Sequence, residues 1–230
     1  IITNGIKDDG IIITSNYDLL VMSRLICIGR NYKLRHQVRD LHSLQISGTL
    51  KSYFFFFLET FLLKKVERVM VSSPEFNNQY YKKIYKGEVI LLENIPSKQT
   101  WVDFQKRKEE HIFTIGFIGY IRYKNSLNQL IKTVQILAAE GLPVKVVFAG
   151  GGDIRGLLKD IKEQNCFEIL GPYEYTKDIK RLYSNIDVIY AVYDSFDRNC
   201  QLAMPNKFYE SIITKIPILV AKNTFVESEV

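Results

Sequence analysis

Two segments have residue types at a spacing that could hold an anion. The first is Gly119-Tyr120-Ile121-Arg122-Tyr123-Lys124-Asn125, which follows an apolar run and opens a helical pattern. Two cations at a strand's carboxyl end, beside the unpaired N–H groups of a helix start, suit a phosphate. The second is Ser195–Glu210, a long loop running into a helix begun by Pro205. There the backbone N–H groups of Asn206 and Lys207 point at whatever occupies the loop, and Lys207 adds a charge. One helical turn further on, Glu210 either chelates a diol or faces water, and the sequence leaves both readings open.

Other candidate chemistries fail on spacing. Gly150, Gly152 and Gly156 give GxGxxxG rather than the dinucleotide pattern GxGxxG, and they follow the second strand of their region rather than the first. A tight strand-to-helix turn accounts for them, with Asp153 as an N-cap. Cys27, Cys166 and Cys200 are far apart and odd in number, and His36, His42 and His111 have no ligand spacing. No metal site, disulfide framework or bound cofactor is expected, and a reducing cytosol is the simplest compartment. The histidines are expected to be structural or solvated.

The surrounding chain has 230 residues, 47% of them apolar and 24% charged, which describes a globular protein able to build one large core or two small ones. No apolar run approaches the ~18 residues of a membrane span. The chain opens Ile-Ile-Thr-Asn without Met or a signal-peptide pattern, and reads as a fragment. Residues 1–110 carry 17 Lys and Arg against 12 Asp and Glu, whereas residues 111–230 carry 14 against 13. The basic half implies either a solvated basic face or an anionic partner. Nucleic acid is disfavoured, because no recognition motif accompanies the modest charge.

Short apolar runs alternate with helical periods along the whole chain. Strands are expected at 10–14, 34–38, 69–72 and 89–92, with helices at 17–28, at 53–66 and from Pro74 to Lys86-Gly87. Pro96, the lone Trp101 and the charged run 106–110 interrupt the alternation. The alternation resumes with strands at 113–119, 144–149, 167–170, 187–193 and 216–221, and helices from 127, to about 164, at 177–183 and at 205–213. This is an α/β pattern of parallel sheets with helical connections. The expected domains are residues 1–100 and 111–230, with 101–110 as a linker.

In order along the chain, Gly119…Arg122…Lys124, "VVFAGGG", "ILGPYEYTKDIKRLYSNIDVIYAVYD" and "MPNKFYESIITKIPILVA" resemble the donor-binding domain of family 4 glycosyltransferases. "VRDLHS", "LETFLLKKVERVMVSSPEF" and "ILLENIP" resemble parts of that family's acceptor-binding domain. The resemblance implies the GT-B fold: two Rossmann-like domains facing each other, here with the first incomplete at its amino end and the closing helices of the second missing. It also implies sugar transfer from a nucleotide-sugar donor to an acceptor hydroxyl with retained configuration and without metal. Arg122 and Lys124 would hold the diphosphate, Asn206 and Lys207 would cap it, and Glu210 would bind the ribose. Gly119 belongs to the same donor site, Gly171 to Tyr173 would lie near the base, and Asp40, with Arg39, would face the donor sugar. A saccharide or lipid-linked acceptor is implied, with a cytoplasmic location at the inner face of the cell membrane.

Four positions depart from that pattern. Leu202 stands where the family often has a Glu (Asp197 is the nearest substitute), Pro205 where it has Gly, Tyr120 where it has Arg, and Arg39 where it has His. Leu202 favours the alternative of a non-catalytic nucleotide-sugar binder or assembly subunit. The aromatic run Tyr53–Phe57 is expected as a buried helix face. Its other reading is a contact with an anionic membrane surface.

Overall fold

A computed structural model describes residues 10–107, 112–152, 156, 161 and 165–230. His111, Asp153 and most of the helix expected before residue 164 lie outside the described residues. The chain forms two compact units. The first comprises the chain up to Asn94 together with Phe196–Met204, and the second comprises Ile95–Ser195 together with Pro205–Val230.

In the first unit, four parallel strands lie in chain order: β1 (Ile11–Ser15), β2 (Lys33–Val38), β3 (Val66–Val71) and β4 (Glu88–Leu91). Parallel neighbours in chain order need crossover connections, and the usual right hand of such connections puts successive helices on one face of the sheet. These are α1 (Asn16–Ile26), α2 (Ser43–Ile46), α3 (Leu50–Leu63), and the pair α4 (Pro74–Phe76) and α5 (Lys82–Ile84), joined by a π-helical turn at Asn77–Tyr81. Leu20, Leu34, Val38, Leu63, Val69 and Tyr81 form the core between sheet and helices. His36 sits in that core beside the Thr14 hydroxyl, 2.9 Å away. Burial lowers its pKa to about 4, so it is neutral at physiological pH.

α3 overturns the expectation that its aromatics are buried. Tyr53, Phe54 and Phe57 are 69%, 65% and 74% exposed, while Ser52 and Glu59 are buried. The helix turns its one carboxylate inward because three donors await it there. Gln45 Nε2, Tyr80 OH and Tyr81 OH lie 2.8, 2.7 and 2.8 Å from its oxygens. Among the described residues no cation joins them, and burial holds the Glu59 carboxyl above the ordinary range. Among the described residues, too, no helix is long and apolar enough to cross a membrane.

The second unit has the strand order β7-β6-β5-β8-β9, all parallel. Its strands are β5 (Phe113–Ile118), β6 (Val144–Ala149), β7 (Phe167–Gly171), β8 (Val188–Ala191) and β9 (Ile218–Val220). α7 (Lys124–Ala139), which α6 (Lys98–Trp101) precedes in the chain, packs Leu127, Leu130, Ile131 and Val134 on one face of the sheet. α8 (Tyr175–Ser184) and α10 (Asn206–Thr214) cover the other. Chain order reverses between β5 and β8, and such a reversal opens a crevice at the strands' carboxyl ends.

The division between units differs from the expected linker at 101–110. Trp101 stacks edge-on against Tyr183 at 5.2 Å and belongs to the core of the second unit. Residues 196–204, which carry α9 (Arg198–Leu202), belong to the first. Leu202 is buried in the first unit's core, and its carbonyl accepts a 2.5 Å hydrogen bond from the Ser73 hydroxyl. These long-range contacts leave no periodic trace in the sequence.

Candidate functional site

The reversal point of the second sheet gathers most of the expected anion-binding residues. Three strand exits run side by side there: Gly119 N–H bonds Ala149 O at 2.8 Å, Ile121 N–H bonds Gly151 O at 2.8 Å, and Gly150 N–H bonds Gly171 O at 2.7 Å. Gly150 and Gly152 are required by this approach, with φ of +144° and +123°. A Cβ on either would run into a carbonyl, that of Gly119 or of Ile121. The glycine run therefore brings two loops together, beyond turning one strand into a helix.

α10 enters this crevice by its amino end. Pro205 occupies the N-cap position, one residue before the position expected of it, and contributes no side-chain cap. Asn206 is exposed at the first turn, where the backbone N–H groups lack helical acceptors. The Lys207 arm passes over Gly119, whose ideal Cβ would lie 3.9 Å from Lys207 Cε. Lys207 Nζ reaches Glu210 Oε2 at 3.0 Å, and the two side chains are 12% and 0% exposed.

Glu210 does not face water. Tyr175 OH donates to its Oε1 at 2.8 Å, and Tyr183 OH donates a short hydrogen bond to its Oε2. Burial and the adjacent Glu210 charge push the Tyr173 phenol up to about 12 and raise Tyr175 and Tyr183 as well. All three phenols stay protonated, and Tyr175 and Tyr183 are donors to the carboxylate rather than acids. Tyr175 and Tyr183 were not among the expected site residues. Their signal is the inward face of α8, which presents Ile179, Leu182 and Tyr183 to the core.

Arg122 and Lys124 follow β5 as expected. Lys124 is the first residue of α7, and the Arg122 guanidinium lies 4.8 Å from the centre of the Tyr123 ring. Gly171 closes β7 with φ +71°, and Tyr173 is half-buried beyond it. Gly119, Gly171, Lys207 and Glu210 are thus tied together by contacts. Arg122, Lys124, Asn206 and Tyr173 border the same strand ends.

Asp40 lies in the first unit, exposed at the carboxyl end of β2. Asn199 of α9 holds it: Nδ2 donates to Asp40 Oδ1 at 2.9 Å, and Leu41 N–H donates to Asn199 Oδ1 at 2.7 Å. Sequence reasoning missed Asn199. Asp197, the nearest substitute for the family's Glu, caps α9 by accepting from the N–H groups of Asn199 and Cys200. Among the described residues, no cluster of His, Cys, Asp or Glu could hold a metal ion.

No protein-family model and no curated protein sequence matches the chain. Solved structures do match it. The sucrose-phosphate synthase of Thermosynechococcus elongatus superposes with a TM-score of 0.65 at 12% identity, over 95% of this chain and 57% of that one. A point mutant of S. aureus TarM, in complex with Fondaparinux, alpha-GlcNAc-glycerol and UDP, gives 0.66 at 15% identity, over 96% and 44%. An E. coli structure described as trehalose-6-phosphate, bound with UDP-2-fluoro glucose, gives 0.66 at 13% identity, over 97% and 61%. The chain therefore has the GT-B glycosyltransferase fold and spans about half the length of these chains.

Proposed function

We propose that the protein transfers a sugar from a nucleotide-sugar donor to an acceptor hydroxyl with retained anomeric configuration. The observation that carries this reading is Lys207 laid over Gly119 at the amino end of α10, where β5 and β8 part. A helix N-terminus, a half-buried ammonium and the nearby Arg122 and Lys124 make a positive cradle for a departing diphosphate. Such fixed charges stabilise the charge that develops as the glycosidic bond breaks. These groups supply without a metal what a divalent cation would otherwise supply, so chelators should leave turnover intact.

Glu210 has a different part from the ribose ligand expected of it. Being enclosed, it acts through Lys207, whose ammonium it fixes against the crevice. Asn206 presents the helix's first N–H groups, and Gly171 and Tyr173 border the space for the base. Two fold neighbours are complexes with UDP or a UDP-sugar, which makes uridine the base to try first. Within the first unit, Asn199 sets the orientation of Asp40, which in this reading is a candidate catalytic carboxylate.

The acceptor end of the reaction belongs to polysaccharide or glycolipid synthesis on the cytoplasmic side of a membrane. In support, α3 exposes Leu50, Tyr53, Phe54, Phe57 and Phe61 along one stripe, and that stripe carries no acid. Lys64 lies at its end, 5.7 Å from the Phe61 ring, and Lys51 and Lys65 are also exposed. Aromatic side chains with a basic border suit an anionic lipid surface.

A donor screen tests the central reading. UDP-, GDP-, ADP- and CMP-sugars are offered, thermal stabilisation is recorded, and proton NMR follows the anomer released to water or to an added sugar. Stabilisation by one nucleotide series and release of the retained anomer are expected. Release of the inverted anomer, or binding without turnover, would replace this reading with an inverting enzyme or a non-catalytic binder.

A further inference from the structure

A cation that is to meet a departing diphosphate has to be aimed. The Glu210 carboxylate aims Lys207; Arg122 is aimed differently. Tyr120 takes the place next to Gly119, and Arg122 follows two residues later with its side chain exposed. An exposed arginine samples many rotamers, and fixing one of them costs entropy that offsets what its charge contributes. Two aromatic rings limit that freedom here. The Arg122 guanidinium lies 4.8 Å from the centre of the Tyr123 ring, and that ring lies 5.3 Å from the ring of Tyr193, with the planes inclined at 51°.

The middle ring stands on a pinned backbone. Tyr123 occupies the N-cap position of α7, and its carbonyl accepts from the Leu127 N–H at 3.2 Å and from the Ser126 hydroxyl at 3.1 Å. The Tyr190 hydroxyl of β8 donates to the Ser126 carbonyl at 2.8 Å and ties this first turn to the sheet. The backbone is thereby set, but the Tyr123 ring still has a rotamer to choose. Tyr193, which follows β8, packs against that ring and settles the choice. The contact joins the loop after β5 to the loop after β8, the two strands that part at the crevice. Tyr193 also stands near the Glu210 cluster: burial does most to raise the Tyr183 phenol, and Tyr193 is one of the neighbours that add to it.

Holding an arginine by a ring has a consequence that a carboxylate would not give. A guanidinium is attracted to the face of an aromatic ring, whereas its five N–H donors lie in its own plane. The ring restrains the side chain without occupying those donors and without cancelling the charge. A carboxylate partner would do both. The contact between the two tyrosine rings adds the attraction of one ring's edge for another's face, so the stack is held from the β8 side as well. We infer that Tyr193 is a positioning residue for the transfer: through the Tyr123 ring it restrains the Arg122 guanidinium beside the diphosphate and leaves its N–H groups open to bind it. This inference rests on the transferase reading above, and adds to it the residue that acts on Arg122 from the neighbouring strand's loop.

Calorimetric titration of UDP and of uridine tests it, in the parent, Tyr193→Leu, Tyr193→Phe, Arg122→Gln and the double variant Tyr193→Leu with Arg122→Gln. Tyr193→Leu should weaken UDP binding about fivefold and leave uridine binding unchanged, since uridine has no diphosphate for Arg122 to meet. Tyr193→Phe keeps the ring and should restore UDP affinity. With Arg122 already replaced, Tyr193→Leu should cost nothing further, as two residues acting through one contact require. Tyr123→Leu removes the middle ring, should match Tyr193→Leu, and supplies the same reading if that variant does not fold. Equal weakening of UDP and uridine, an unchanged UDP affinity in both leucine variants, or a full added loss in the double variant would overturn the inference. If the parent prefers UDP and Arg122→Gln lowers that preference while the leucine variants do not, only the inference fails. If the parent binds UDP no better than uridine, the diphosphate site itself fails and takes the inference with it.

Discussion

Among the described residues, each unit buries one glutamate completely and holds it with two tyrosines. Glu59 has Tyr80 and Tyr81, and Glu210 has Tyr175 and Tyr183. The third partner differs: Gln45, a neutral amide, for Glu59, and Lys207, an ammonium, for Glu210. A buried carboxylate among neutral donors is a brace, and burial holds its pKa above the ordinary range despite three hydrogen bonds. A carboxylate with a cation can aim that cation at a crevice. The same residue type thus fixes a loop in one unit and a charge in the other.

Removing the brace should have the largest effect. Glu59→Ala orphans three donors and should cost about 4 kcal/mol in chemical denaturation, while UDP affinity in the folded fraction stays unchanged. A loss of UDP affinity there would break the contrast between the two sites.

Acid should distinguish the units next. The folded His36 pKa of about 4 lies below the ordinary 6.5, so the unfolded state binds the extra proton between those values. Stability from this group is complete above pH 6.5 and falls as pH drops toward 4, by on the order of 3 kcal/mol. Glu59, with its pKa raised, acts oppositely and gains from protonation. Comparing His36→Gln with the parent across this range isolates the histidine, and parallel stability curves would contradict its assignment.

At the other glutamate, Lys207→Met should lower donor turnover on the order of a hundredfold, the scale of one lost electrostatic contact at a developing charge. The smallest effects are the sharpest comparison. Tyr80→Phe and Tyr175→Phe should each cost about 1 kcal/mol of stability. Only Tyr175→Phe should also weaken UDP binding, because only Glu210 holds a cation in the crevice.

Much of this was legible beforehand. Strands such as 113–118 and 144–149 carry their own apolar runs, and α7 shows its buried stripe at helical spacing. The loops that carry Arg122, Lys207 and Glu210 were placed because strand ends and helix starts have local signatures. What escaped depends on partners distant in sequence. α3 reads as a buried aromatic helix until Glu59 is seen to find Gln45, Tyr80 and Tyr81. The return of Asn199 and Leu202 to the first unit is likewise a matter of contacts more than a hundred residues apart. The sequence leaves Glu210 between chelating a diol and facing water, because the Tyr175 and Tyr183 hydroxyls that enclose it come from α8, 35 and 27 residues away.

The most direct test titrates UDP and uridine separately into the parent protein and into Lys207→Met, at low and high salt. The parent should bind UDP more tightly than uridine, salt should weaken only UDP binding, and Lys207→Met should lose most of the difference. Equal binding of UDP and uridine by the parent, or UDP binding untouched by Lys207→Met, would contradict a diphosphate site at the amino end of α10.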